Sequence, residues 1–165
     1  VQRLIDQPFW HVSSDQFVAA QLLPQRRGEG GDFAWPVMRP RFFTAFHRCL
    51  PAIASAENNI IVEHVIEFEA WMGDLVQLLA AFDIFFVGVH CPLPELERRE
   101  RERGDRAIGE ARDHLQVVHT FGTYDYEVDS TTAAADENAH QLIAAWRLRS
   151  APHAFQRMAQ AFAQG

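Results

Sequence analysis

The stretch "DIFFVGVHCPLPELERRERERGDRAIGEAR", residues 83–112, changes its periodicity partway along. Its first part, 83–91, is short, β-rich and apolar on both faces, which predicts a strand covered on both sides. Past Pro92 the pattern becomes helical and highly charged, with helices predicted over 94–103 and 107–120 and a glycine, Gly104, at the break. A buried strand that runs straight into a helix is half of a βαβ unit. The same reading extends outward: "NIIVEHVI" (59–66) and "YDYEVD" (124–129) are further strands, and "FWHVSS" (9–14) is a weaker fourth. Helical patterns fill the intervals at 15–23, 40–56, 67–81 and 133–148, and "PHAFQRMAQAFA" supplies a last one. Strands alternating with helices imply right-handed crossovers and a parallel sheet with helices on both faces. The expected class is α/β.

With 165 residues, 48% of them hydrophobic, the chain is expected to be one domain around one core. The net charge of −7 argues against nucleic-acid binding, which needs a positive field over a whole face. Every one of the fifteen basic residues is arginine, so any anion site is local and built from guanidinium groups. Cys49 and Cys91 form no C-x-x-C, which points away from a disulfide framework or zinc site and towards a reducing cytoplasm. The longest apolar run is interrupted by Asp83 and is too short to span a bilayer, so no membrane partner is expected.

Residues 95–114 hold six arginines among acidic residues. Arg99, Arg103 and Arg106 are four and three apart, which places them on one helical face where they could converge on a polyanion. Glu95 with Arg99, Arg98 with Glu102, and Glu102 with Arg106 are also spaced for i,i+4 ion pairs, the pattern of a solvated helix. Placement favours the anion clamp, because open α/β sheets bind ligands beyond the carboxyl ends of their strands. A guanidinium also offers phosphate a planar fork of donors. The lid predicted in this way covers about 95–114.

Other residues carry two readings each. Asp15 follows a short strand and opens a helix, which suits either an N-cap or a general base at a strand end. Glu63 and His64 interrupt an apolar strand, where buried ionisable groups need partners. Asp129, Ser130 and Thr131 end the last strand and either cap the next helix or meet a ligand. The Gly- and Pro-rich segment 24–40 reads as a long loop, a surface excursion or a substrate-covering flap, with an exposed Trp35. Phe33 and Trp35, followed by Phe42, Phe43 and Phe46, suit an aromatic substrate pocket or simply the core. His90 with Cys91, and His114 with His119, are poorly spaced as metal pairs.

The phrases "IIVEHVIE", "FFVGVHCPLPELERRERERGDRAIGEAR", "VVH" and "YDYEVDSTT", in that order and spacing, resemble the chloramphenicol phosphotransferase-like proteins, a branch of the P-loop kinases. The resemblance implies a three-layer kinase-like fold that transfers the γ-phosphoryl group of ATP, with magnesium, to a hydroxyl of a small molecule. It implies Asp15 as the catalytic carboxylate and Arg103 and Arg106 as lid arginines. Arg99, Asp129, Ser130 and Thr131 become candidates for nucleotide contact. Glu63 becomes a candidate for ordering a magnesium-bound water or orienting the acceptor, and Trp35 for covering it. Two departures accompany the resemblance. G-x-x-x-x-G-K-[ST], whose amides and lysine cradle phosphates, does not occur in these residues, and "VQRLID" matches the helix that follows that loop, so the first strand and P-loop are expected upstream. His114 stands where antibiotic-modifying relatives tend to have glutamine, which bears on the acceptor. The competing expectation is a non-catalytic descendant of the fold that binds a ligand or partner.

Overall fold

The computed structural model describes residues 1–25, 30–104 and 109–162. It divides into two compact units: Asp6–His64 with Gln2, and the chain from Val65 onward with Val1 and Arg3–Ile5. At the start of the chain, the amides of Leu4 and Ile5 both donate to the carbonyl of Val1, a single helical turn.

The first unit contains β1 (Phe9–Ser13), α1 (Ser14–Ala19), a 3₁₀ turn at Gly31–Phe33, α2 (Trp35–Ser55) and β2 (Asn59–Glu63). β1 and β2 pair in parallel, with Phe9 opposite Asn59 and Ser13 opposite Glu63. Two strands alone are marginal in water and need an apolar cover. In α2, Phe43, Phe46, His47 and Leu50 follow the i, i+3, i+4, i+7 stripe and are buried. Phe17 of α1 meets Phe46 edge to face at 5.7 Å. α2 begins earlier than expected, so Trp35 is not an exposed loop residue. Pro36 sits in the first helical turn, where it lacks only an amide hydrogen that would have no partner, and the indole lies 5.6 Å from Phe42 and 6.4 Å from Phe43.

His47, 2% exposed, contacts His64 through the two Nε2 atoms at 3.0 Å. One ring must therefore carry its proton on Nε2 and the other on Nδ1. His64 also stacks on Phe43. Burial, reinforced by the neighbouring His47, pushes the His64 pKa down to about 4.

The second unit contains α3 (Glu69–Leu79), β3 (Val87–His90), α4 (Leu93–Arg103), α5 (Glu110–Val117), β4 (Tyr126–Asp129), α6 (Ala135–Arg147) and α7 (Ala154–Phe162). β3 and β4 are parallel, with Val87 opposite Tyr126 and His90 opposite Asp129. Met72, Leu75, Val76 and Leu79 form the buried stripe of α3, joined in the core by Val128, Ile143 and Phe155. The amino end of the strand pair is fixed by the buried carboxylate of Asp125, which accepts the amides of Phe86 at 2.9 Å and Ala154 at 2.7 Å. Gly88 leaves room for the Tyr124 ring, since an added Cβ would lie 2.7 Å from it.

The α/β class, the parallel pairing and the order of elements are as the sequence indicates. The strands are shorter than their apolar runs, and among the described residues they pair two by two instead of all joining one ladder. Apolar run length reports burial, whereas strand limits are set by hydrogen bonding.

Two outcomes follow for stability. Because the folded-state pKa of His64 lies below the usual value of about 6.5, its contribution is complete above that pH and is lost as the pH falls towards 4. Urea titrations should show stability dropping across that window, and His64→Leu should flatten the drop. Gly88→Ala should lower unfolding stability by about 1–3 kcal/mol at neutral pH, because backbone or the Tyr124 ring must move.

Candidate functional site

In the first unit the candidate residues gather at the carboxyl end of β1 and β2. Ser13 is the N-cap of α1: its hydroxyl accepts the Gln16 amide at 3.3 Å, and the Gln16 side chain accepts the Ser13 amide at 3.0 Å. This reciprocal capping box is readable in "SSDQ" as S-x-x-Q. Ser13 therefore has the capping role that the sequence also allows for Asp15. Asp15 is the second helical residue and is exposed.

The capping box has a further effect. With Gln16 Oε1 accepting from Ser13, its Nε2 points at His11 Nδ1, 3.2 Å away, and donates to it. The His11 proton must then lie on Nε2, which is 3.2 Å from Glu63 Oε2 and donates to that carboxylate. A chain of oriented hydrogen bonds thus runs from the α1 cap to the end of β2. Glu63 is 76% exposed and is not a core carboxylate. Sequence reasoning misses both His11 and Gln16; the capping-box spacing is the available signal for Gln16, while His11 has none because its partner is on another strand.

In the second unit α4 leaves β3 and returns to the end of β4. Arg99 makes this contact, its Nη2 donating to the Ser130 carbonyl at 2.6 Å while its Nε donates to Glu95 at 2.7 Å. Ser130 continues the ladder past the strand, its amide and hydroxyl both donating to the His90 carbonyl at 2.8 and 3.0 Å. Asp129 accepts from both the amide and the hydroxyl of Thr131, and these bonds, the hydroxyl first, hold its pKa below the usual carboxylate value. The three residues form a local turn instead of capping α6, whose N-cap is Ala134. An open groove of about 410 Å³ runs here, lined by His90, Cys91, Pro92, Glu127, Val128 and Asp129. His90 stacks on His119 at 4.1 Å, and its Nε2 lies 2.8 Å from Glu127 but at an angle unsuited to a hydrogen bond.

Along α4, Arg98 is held between Glu95 and Glu102, at 2.6 and 2.5 Å, as the ion-pair spacing suggests for Glu102. Glu95 also pairs with Arg99 at 2.7 Å. The pairing expected between Glu102 and Arg106 involves a residue outside the described ones, as does the lid role of Arg106 itself. Arg101 and Arg103 are exposed in the last turn, and Gly104 closes the helix in the left-handed conformation with φ 63°. His114 lies 3.7 Å from Glu67. The structure thus brings together Arg99 with Ser130, Asp129 with Thr131, and Glu63 with His11; Trp35 packs on its own helix. Among the described residues, no group of three or more His, Cys, Asp or Glu side chains is arranged to hold a metal, and no helix is long and apolar enough to cross a membrane.

The parallel strand pairs and the helices that connect them make this an α/β protein. The chain belongs to the chloramphenicol phosphotransferase-like protein family, whose model matches residues 1–147. Two relatives from Mycobacterium tuberculosis strains, each named "Putative O-phosphotransferase", are 32% identical over 116 residues, covering 70% of this chain and 52% of theirs. The chain therefore spans about half the length of the curated relatives it matches. A tunicamycin resistance protein of Deinococcus radiodurans superposes with a TM-score of 0.54 at 20% identity, covering 87% of this chain and 85% of its own, which is a likeness of fold.

The division of roles in α1 can be measured. Ser13→Ala should cost about 1 kcal/mol of unfolding stability. Asp15→Asn should cost within about 0.5 kcal/mol, the scale of an exposed first-turn charge. Urea midpoints of the two variants check this.

Proposed function

We propose that the protein is an ATP-dependent phosphotransferase that moves the γ-phosphoryl group to a hydroxyl of a small molecule. The observation that carries this reading is the arginine helix pinned by Arg99 to the carboxyl end of β4, with Arg103 in its last turn. In the proposed reaction Asp15 takes the proton of the acceptor hydroxyl as that oxygen attacks the γ-phosphorus, the bond from the γ-phosphorus to the bridging oxygen breaks, and ADP leaves. The position of Asp15 suits this role because Ser13 does the capping. Arg103 and Arg106 neutralise charge on the phosphoryl oxygens, and Glu63, held by His11, orients the acceptor. Trp35 serves the acceptor side as part of the aromatic cluster of α2.

The residues present suit the outer side of a nucleotide site: guanidinium donors for phosphate oxygens, and the Asp129–Thr131 turn with its ionised carboxylate beside Ser130. Magnesium, when bound with ATP, would neutralise phosphate charge. The amide cradle and its lysine are not encoded in these 165 residues. The second reading is a non-catalytic domain that binds a ligand or partner through the same strand ends. Chloramphenicol in the name of the family, and tunicamycin in that of the Deinococcus protein, make hydroxyl-bearing antibiotics the first acceptors to screen.

In the full-length protein, Arg103→Ala should lower kcat/KM on the order of 10³-fold, as arginines at a transferring phosphoryl group do. Asp15→Asn should lower kcat by about 10²- to 10⁴-fold. Arg101→Ala, at an exposed position, should cost under about 1 kcal/mol in activation free energy. Equal effects of Arg101→Ala and Arg103→Ala would contradict the clamp. Ligand binding without magnesium-dependent ATP turnover, unaffected by Asp15→Asn, would favour the second reading. The 165 residues alone should show no turnover.

A further inference from the structure

The hydrogen-bond network at the carboxyl end of β1 and β2 has a fixed direction and one open end. Gln16 Oε1 accepts the Ser13 amide at 3.0 Å, which commits Nε2 to His11 Nδ1 at 3.2 Å. His11 Nε2 then carries the ring proton and donates to Glu63 Oε2, also at 3.2 Å. Both ends of the Gln16 amide and both ring nitrogens of His11 are thereby used. Glu63 Oε1 is not: among the described residues the one partner of this largely exposed side chain is His11, through Oε2.

Exposed bonds of this kind add little to stability, and each costs the freedom of a side chain. What the series achieves is position. It ties down one oxygen of a carboxylate at a strand end and leaves the other for a partner from solution, at the edge where α/β proteins take their ligands. The strand register sets Glu63 opposite Ser13, and Asp15 follows two residues on. A molecule whose hydroxyl reaches Asp15 therefore lies along the same strand edge as Glu63.

We propose that Glu63 Oε1 docks a second hydrogen-bond donor carried by the phosphoryl acceptor, and that Gln16 and His11 are positioning residues for it. The acceptor class is then a diol or an amino alcohol, with the second donor close to the hydroxyl that reacts. That this molecule accepts phosphoryl rests on the phosphotransferase reading; the open carboxylate oxygen and its supports do not. Gln16 and His11 touch no reacting atom.

The test reads binding in the full-length protein with magnesium and a non-hydrolysable ATP analogue. The probes are α-methylbenzyl alcohol, styrene glycol and phenylethanolamine, which share one hydroxyl and differ only in whether the next carbon carries hydrogen, hydroxyl or amine. Backbone-amide shifts of Ser14 and His64, followed by NMR, give Kd for each. The glycol or the amino alcohol should bind about tenfold or more tighter than the mono-alcohol, the scale of a hydrogen bond to a charged group. Glu63→Ala should abolish that preference. Gln16→Glu keeps an oxygen for the Ser13 amide, and so the capping box, but replaces the donor to His11 by an acceptor. Ring-nitrogen shifts should show His11 Nδ1 unprotonated in the parent and protonated in Gln16→Glu. The urea midpoint should stay the same while the preference for a second donor falls. Equal binding of the three probes, an undiminished preference in Glu63→Ala, or an unchanged His11 ring in Gln16→Glu would overturn the proposal. A full-length protein without magnesium-dependent transfer to any hydroxyl would remove the phosphotransferase reading, and the binding preference would still decide whether Glu63 docks a donor.

Discussion

The bond from the Arg99 guanidinium to the Ser130 carbonyl ties the charged helix α4 to the strand pair of the second unit. A helix with as many charges as α4 has little apolar surface with which to dock, and none of its residues is buried. It is placed instead by polar geometry: Arg99 is braced by Glu95 and reaches the residue that extends the β3–β4 ladder. Parallel strands end together, so the carbonyl of His90 and the amide of Ser130 meet at one edge, and Arg99 ties the helix leaving β3 to the end of β4. Removing the fork would leave α4 attached mainly through the chain at Pro92 and through its contacts with α5.

Both units place their polar chemistry at the carboxyl ends of parallel strands. In the first, a capping box orients a glutamine, the glutamine sets the histidine tautomer, and the histidine holds an exposed glutamate. In the second, a pinned arginine ties α4 to Ser130, and Asp129, held by Thr131, lines an open groove. Phosphoryl transfer asks little covalent chemistry of a protein and much positioning of charge. Rigid hydrogen-bonded networks at the ends of strands are suited to that task.

The alternation of apolar strands and helical segments makes the α/β class and the order of elements legible, since both follow from local periodicity. The ion pairs of α4 are legible for the same reason, being i,i+3 and i,i+4 relations within one helix. What sequence alone leaves hidden depends on residues distant in the chain. Glu63 sits in an apolar run that suggests burial, yet it is exposed at the strand end and is held by a histidine on the neighbouring strand. Glu100 reads as one more solvated acid, because its partners are the backbone amides of Gly109 and Ala111, beyond the Gly104 break. Trp35 is misplaced by composition: a proline-rich stretch reads as loop, although proline in a first turn starts a helix. The capping role of Ser13 is present in the sequence as S-x-x-Q, and Asp15 obscures it by being an equally good cap by residue type.

Backbone-amide NMR of the full-length protein, titrated with magnesium and a non-hydrolysable ATP analogue, tests the account most directly. A nucleotide held at the carboxyl edge of β3 and β4 predicts saturable shifts at Ser130, Thr131, Gly104 and Gly109. The outer face of α2, where Arg41 and Arg48 line a separate open groove, should stay unchanged. Shifts confined to that α2 groove, or no saturable shifts at the strand edge, would contradict it.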